Sequence, residues 1–167
     1  LFSADVPSVE AIQKLLGPDG ILLKYQQVYG AILAWALTPG AIAHAQIPVT
    51  APLSEIINRL GHSNAKVQPA DLKILSETLL ASVKEPLAKS VFIIGNGAID
   101  LLPWSAMSLD GRPLVEKSSL SHLTSFSQFV NSQGRRNLYN SRLLAVEFQD
   151  KLFAPTASRF ASAVNLT

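Results

Sequence analysis

Cysteine is absent from all 167 residues of this sequence, and charged and aromatic residues are few. The missing thiols exclude a disulfide framework, a thiolate metal site and a cysteine nucleophile supplied by this chain. Charged residues make up 16% of the chain and aromatic residues 7%, whereas 48% of the residues are hydrophobic. This composition is typical of one globular domain that is stabilised by packing rather than by cross-links.

The charge balance gives no indication of binding to a nucleic acid or to a membrane. Lysine and arginine total 14 and aspartate and glutamate total 12, so the formal net charge is only +2. We therefore expect no nucleic-acid partner. The most hydrophobic run, 29–45, is interrupted by Thr38-Pro39-Gly40, so it is too broken to cross a bilayer as a helix. A cytoplasmic protein without a membrane segment is expected.

Apolar runs and turn residues alternate along the chain in the way that is typical of an α/β fold. Helices are predicted where apolar residues recur every three or four positions, and strands where they are contiguous. The predicted helices are 6–16, 55–60, 71–84 and 125–130. The predicted strands are 21–25, 28–37, 41–47, 91–94, 114–116, 119–122 and 143–148. Thr38-Pro39-Gly40 should close a hairpin, and 131–141 should be a polar loop.

The stretch from Val91 to Met107, VFIIGNGAIDLLPWSAM, is the most informative part of the sequence. Its four leading apolar residues predict a buried strand, and Gly95-Asn96-Gly97 predicts a tight reversal after which 98–102 runs back. Pro103 is expected to start a short helix that carries Trp104. A phosphate-binding loop is the weaker interpretation of these glycines, because a third glycine and a long following helix are missing.

The same stretch resembles the CHAT domain, a caspase-like cysteine peptidase domain that is often found beside TPR repeats in bacteria. Its pattern there is a strand, an Asp-Gly turn and Leu-x-x-Leu-Pro-Phe-x-x-Leu. Three further segments resemble this family in order and spacing: VEAIQKLLGPDGILLKY, the hairpin with Trp35 and Leu37, and DGRPLVEKSSLSHLTSF. Four motifs in register over about 145 positions are a stronger indication than any one alone. The resemblance implies a three-layer, caspase-like α/β sandwich whose mixed sheet contains hairpins.

The catalytic segments of that family have no counterpart in this sequence. The resemblance implies a His-containing motif and a Ser-Ala-Cys motif after the strand that corresponds to 143–148, and neither occurs here. Gly95 also stands where Pro is usual, and Asn96 where Asp is usual. We therefore expect an incomplete sandwich, with 1–150 as the CHAT-like portion before the catalytic dyad and 151–167 as a tail. No catalytic, cofactor-binding or metal-binding residue is expected.

Few side chains suggest chemistry of their own. The three histidines, His44, His62 and His122, are far apart in sequence and form no metal-ligand or carboxylate-flanked pattern. His122 lies at a predicted strand end, just before a helix that starts at Ser125. His122, Ser125 and Ser127 are therefore weak candidates for binding a phosphate or a carboxylate at a helix N-terminus. Ordinary helix capping explains the serines as well.

The last predicted strand, from Leu143 to Phe148, would be interior in a complete caspase-like sheet. An unpaired edge invites pairing, so we expect it to be covered by the tail 151–167, by a second copy in a homodimer, or by a separate polypeptide that carries the rest of the domain or TPR repeats. The sequence thus predicts the scaffold and recognition portion of a CHAT-type domain, inactive by itself. Two alternatives stay open: a stand-alone non-catalytic interaction module, and an enzyme of unrelated chemistry that uses Asp or His residues.

Overall fold

The computed structural model describes residues 7–61, 66–81, 89–108 and 111–136. We number the helices and strands in chain order, and α3 continues directly into a π-helical turn. The elements are α1 (Val9–Leu16), β1 (Gly20–Val28), β2 (Ala31–Leu37), β3 (Ile42–Pro48), α2 (Ala51–Leu60), α3 (Pro69–Leu75), the π turn (Ser76–Leu80), β4 (Ser90–Ile94), two 3-10 turns (Gly97–Leu101 and Trp104–Ala106), α4 (Leu114–Lys117), β5 (Ser119–Leu123) and α5 (Phe126–Arg136).

The described strands form one mixed, five-stranded sheet in the order β3-β2-β1-β4-β5. The central strand β1 pairs antiparallel with β2 and parallel with β4. The sheet is extended antiparallel to β3 on one side and parallel to β5 on the other. The α/β fold class is therefore confirmed, as is the β2–β3 hairpin that the Thr38-Pro39-Gly40 turn predicts.

Side chains alternate between two buried layers, because successive residues of a strand point to opposite faces of the sheet. Tyr25 and its neighbours at every second position pack in one core with α2, α3, the π turn and Trp104. Leu22 and Phe92 belong to a second core with α1 and α5. The sheet thus has helices on both faces, which is a three-layer sandwich. Across the described ranges, no helix has the length and apolar character needed to cross a membrane.

The turn after β4 corrects one prediction from the sequence. Instead of reversing into a hairpin, Gly95-Asn96-Gly97 leads into a 3-10 turn, Gly97–Leu101. The physical reason is that β1 and β5 occupy both edges of β4, which leaves no edge for a returning strand. The short helix after Pro103 is confirmed as the 3-10 turn Trp104–Ala106.

Three other elements also differ from the prediction. Residues 114–116 form a helical turn rather than a strand, because only Leu114 is buried and Val115 is 60% exposed. Helix α5 runs on to Arg136, so 131–136 are helical rather than loop. Helix α2 begins at Ala51, with Pro52 in its first turn, where proline is favoured. The predicted strand 143–148, the tail 151–167 and His62 lie outside the described residues.

A buried carboxylate ties α2 to α3. Asp71 is only 5% exposed, and its Oδ1 lies 2.6 Å from a guanidinium nitrogen of Arg59. Its Oδ2 accepts a hydrogen bond of 2.9 Å from the backbone N–H of Gln68, just before α3. The Arg59 hydrogen bond is the main reason that the pKa of Asp71 lies below its usual value.

Replacing Asp71 by Asn should therefore destabilise the fold in a pH-dependent way. At neutral pH we expect a loss of about 1–3 kcal/mol in the free energy of unfolding. Because the folded-state pKa is lowered, this stabilisation is complete above the unfolded-state value of about 3.9. It disappears as the pH falls through the folded-state pKa. Urea unfolding at neutral and acidic pH measures both effects.

The matched control for Asp71→Asn is Glu77→Gln. The Glu77 carboxylate is 66% exposed and lies 4.0 Å from Lys73, and an exposed pair of this kind contributes little to stability. We expect Glu77→Gln to leave the unfolding free energy nearly unchanged at every pH. Equal losses in both variants at neutral pH would contradict the structural role given to Asp71.

Candidate functional site

The carboxyl ends of the parallel strands are the first place to look for a site, since α/β sheets bind ligands there. Beyond the end of β4, Asn96 accepts a hydrogen bond of 2.7 Å at its Oδ1 from the backbone N–H of Gln27 in β1. Gly95 lets the following 3-10 turn approach closely, because a Cβ on it would lie 2.8 Å from the backbone of Asp100. Any side chain at position 95 would therefore require a shift of that backbone.

Asp100 and His122 meet at this edge. Nδ1 of His122 lies 3.9 Å from Oδ1 of Asp100, with the two side chains 43% and 38% exposed. The Oδ1 atom itself is buried and accepts no hydrogen bond within the described part of the chain. The contact is too long for a hydrogen bond, so the two side chains face each other at this edge without a direct bond.

Within the described residues, this pair has no third side chain beside it that would complete a metal site. The chain has no cysteine. Among residues 7–61, 66–81, 89–108 and 111–136, no group of three His, Asp or Glu side chains could hold a metal ion. The sequence signal that links His122 to a carboxylate is absent, because Asp100 comes 22 positions earlier in the chain and only the parallel pairing of β4 with β5 brings it near.

The two candidate serines lie at the start of α5, directly after β5. Oγ of Ser125 accepts a hydrogen bond of 3.1 Å from the backbone N–H of Gln128, and Gln128 Oε1 accepts hydrogen bonds from the backbone and side chain of Thr124. Helix capping therefore explains Ser125. Ser127 is exposed. None of the hydrogen bonds between described residues joins His122 to either serine, and anion binding by the three stays a prediction.

A second region, a groove, was not predicted from the sequence. It lies on the sheet face that carries α1 and α5, and its volume is about 510 Å³. We call it the Lys24 groove and define it by its lining residues: Pro7, Val9, Ile12, Lys24, Gln26, Trp35, Leu37, Ile42 and Phe126. Its floor is formed by side chains of β1 and β2, and its walls by α1 and α5. Most of these side chains are apolar, as in typical ligand-binding grooves.

The register of β1 against β2 determines which side chains form the floor of this groove. Lys24 is paired with Trp35 across the two strands, so both side chains stand next to each other on one face. The ammonium of Lys24 lies 5.5 Å from the centre of the Phe126 ring, within the range of a cation–π contact. Burial lowers the pKa of Lys24, because the apolar surroundings disfavour the charged form.

The walls of the Lys24 groove are held by contacts outside it. Nε2 of Gln13 on α1 donates hydrogen bonds to the backbone oxygens of Thr38 (2.9 Å) and Ala41 (3.2 Å), in the β2–β3 turn. Phe129 anchors α5, with its ring centre 4.9 Å from that of Phe92. These contacts hold α1 against the β2–β3 turn and α5 against the sheet on either side of the groove.

A smaller cavity of about 380 Å³ lies beside α3 and the π turn. The hydroxyl of Ser76 at its wall is fully used, since it donates to the Leu72 carbonyl (2.6 Å) and accepts from the Ser108 backbone N–H (2.9 Å). These bonds join the π turn to the segment that follows Trp104.

No protein-family model matches this chain, and no curated protein matches it. The resemblance to the CHAT domain therefore depends on the four sequence motifs alone.

Proposed function

We propose that this chain is the scaffold and recognition portion of a CHAT-type, caspase-like domain and has no peptidase activity by itself. The observation that carries the proposal is the mixed sheet, in which an antiparallel hairpin and two parallel strands lie on opposite sides of β1. A mixed sheet with hairpins between helical layers is what the CHAT resemblance implies. The four motifs lie along the chain in the order in which the family has them.

The chemistry of the chain supports the proposal that it has no peptidase activity by itself. A caspase-like peptidase needs a thiolate and a neighbouring histidine, and a hydroxyl cannot replace the thiol unless the site is rebuilt for its higher pKa. The chain has no cysteine, and the described contact of His122 is with a carboxylate. We therefore propose that another segment or polypeptide contributes the histidine and the cysteine.

A protein partner is part of the proposal. The edge of the strand from Leu143 to Phe148 would pair with another polypeptide, which could be a second copy or a chain that carries TPR repeats. The location would be the cytoplasm, since a reducing compartment keeps a partner's catalytic thiol free.

A stand-alone, non-catalytic interaction module is the second candidate function, and the Lys24 groove favours it. A largely apolar groove whose lining contains a single cation is suited to binding whether or not peptidase chemistry is nearby. The third alternative, an enzyme of unrelated chemistry, would have Asp100 and His122 as its candidate pair.

The test of the proposed function is the composition of the native particle, isolated from the natural host. Light scattering gives its mass, intact mass spectrometry its components, and a covalent cysteine-peptidase probe reports an active thiol. We expect a particle heavier than one 17.9 kDa chain, with the probe on a cysteine of the additional component. A particle that contains only this chain and takes up no probe would favour the interaction module.

A matched pair of variants tests whether the chain is instead an enzyme that uses Asp100 and His122. The purified chain should cleave no peptide substrate, and His122→Gln should change nothing. His44→Gln is the control, because His44 is also exposed but lies on β3, at the opposite edge of the described sheet. Turnover that His122→Gln abolishes and His44→Gln preserves would overturn the proposal in favour of chemistry at Asp100 and His122.

A further inference from the structure

The cation in the Lys24 groove has no anionic partner among the residues that the structure describes. The described ion pairs of the chain are elsewhere, between α2 and α3, along α3, beside β4 and at the Asp100–His122 edge. Lys24 is instead surrounded by apolar and aromatic side chains, and Gln26 is the only other polar residue in the groove lining. A partly buried charge without a counter-ion is costly, and an incoming anion removes part of that cost.

The rest of the groove selects for an apolar occupant. Trp35 lies in the floor beside Lys24, and Ile42 and Val9 at the rim are 51% and 37% exposed. Exposed aliphatic side chains around a half-buried tryptophan are typical of a protein-binding patch. The groove thus combines one positive charge with apolar contacts on either side of it.

We propose that the Lys24 groove binds an extended peptide segment of a partner protein, in which one carboxylate side chain is flanked by large apolar side chains. The carboxylate would pair with the Lys24 ammonium, and the apolar neighbours would cover Trp35 and the rim. The inference rests on the recognition role in the proposed function and names the chemistry of the segment recognised. It does not require the partner to be a peptidase.

The experiment compares two peptides that differ in one charge. Acetyl-Leu-Phe-Glu-Leu-amide and its Glu→Gln counterpart, each with the same dye, are titrated against the full chain by fluorescence anisotropy. We expect the Glu peptide to bind roughly tenfold more tightly, as a charge-assisted hydrogen bond in a partly desolvated site allows. The preference should shrink at high salt.

Variants of Lys24 show whether the preference comes from this residue. Lys24→Met removes the charge and keeps the apolar stem, so both peptides should bind the variant with the weaker affinity. Lys24→Arg should keep the preference. Lys73→Met is the matched control, because Lys73 is an exposed lysine on α3, which packs on the other face of the sheet. Trp35→Ala should weaken both peptides by a similar factor and leave the preference in place.

Several results would overturn the inference. The first is equal affinity of the wild-type chain for both peptides. The second is the absence of saturable binding up to about 1 mM peptide, a concentration that marks the weakest specific affinities. The third is an unchanged preference for the Glu peptide in Lys24→Met. If Lys24→Met failed to fold, the two peptides against the wild-type chain would still decide. Self-association that disappears in Trp35→Ala would assign the groove to a second copy instead.

The peptide experiment and the native-particle experiment test the groove inference and the proposed function separately. Absence of peptide binding, with a probe-reactive component in the native particle, would overturn only the groove inference. Peptide binding by a chain whose native particle has no other component would overturn only the peptidase scaffold.

Discussion

Trp104→Ala should lower the free energy of unfolding by about 3–5 kcal/mol, the usual range for removal of a fully buried aromatic side chain. Trp104 is 1% exposed, and its ring stacks on Tyr25 of β1 with 4.8 Å between ring centres. Its indole N–H donates a hydrogen bond of 3.1 Å to the Ile99 carbonyl. The substitution therefore leaves a cavity beneath the central strand and removes one of the two hydrogen bonds that the Ile99 carbonyl accepts, the other coming from the Leu102 backbone N–H. Urea unfolding at neutral pH measures the loss.

Two control variants show how much of the stability loss in Trp104→Ala comes from the hydrogen bond and how much from burial of the ring. Trp104→Phe keeps the stacking on Tyr25 and removes the hydrogen bond, so we expect a loss nearer 1 kcal/mol from the bond itself, about the net value of one such interaction, plus a small cavity term. Trp35→Ala removes the only other tryptophan, which is half-buried in the Lys24 groove, and should cost clearly less. A similar loss for Trp35→Ala and Trp104→Ala would contradict the burial difference between the two rings.

Strands β1, β2 and β4 were predictable because most of their apolar residues are contiguous. The segments that became β1, β2, β3, β4 and β5 were all recognised, with ends within a few residues. A run such as 91–94 needs burial on both faces whatever its neighbours are, so the local pattern suffices. Pairing is different, because it depends on residues that are distant in sequence.

The turn after β4 shows where local reasoning stops. Asn96-Gly97 favours a hairpin by its backbone preferences, yet parallel neighbours on both sides of β4 leave a returning strand nowhere to pair. The chain instead forms a 3-10 turn that buries Ile99 and leaves Leu101 exposed. Tertiary pairing here overrides a propensity of a few residues.

The candidate site was harder to predict than the fold for the same reason. The Lys24 groove exists because the β1–β2 register sets Lys24 beside Trp35, and because α5 brings Phe126 over the ammonium. These residues are 11 and more than 100 positions apart. Because successive residues of a strand point to opposite faces, the sequence could have placed Lys24 on the same face as Leu22, but its aromatic neighbours could not be known.

Helix α5 is the element that links stability to the Lys24 groove. Phe129 is fully buried and meets Phe92 of β4 edge to face, with 71° between the ring planes. On the same helix, Phe126 forms a wall of the groove. Loss of the Phe129 anchor should therefore loosen the groove wall as well as weaken the core.

Phe129→Ala should cost about 3–5 kcal/mol in unfolding free energy, by the cavity it leaves and the aromatic pair it removes. Leu22 and Phe92 of the two central strands share this core, so we expect one cooperative transition at lower urea rather than separate melting of α5. Hydrogen exchange checks this, because amides of α5 and β4 should lose protection together. Val130→Ala is the control, since Val130 is only partly buried against the same core, and should cost less. Unchanged stability in Phe129→Ala would mean that α5 does not form the third layer.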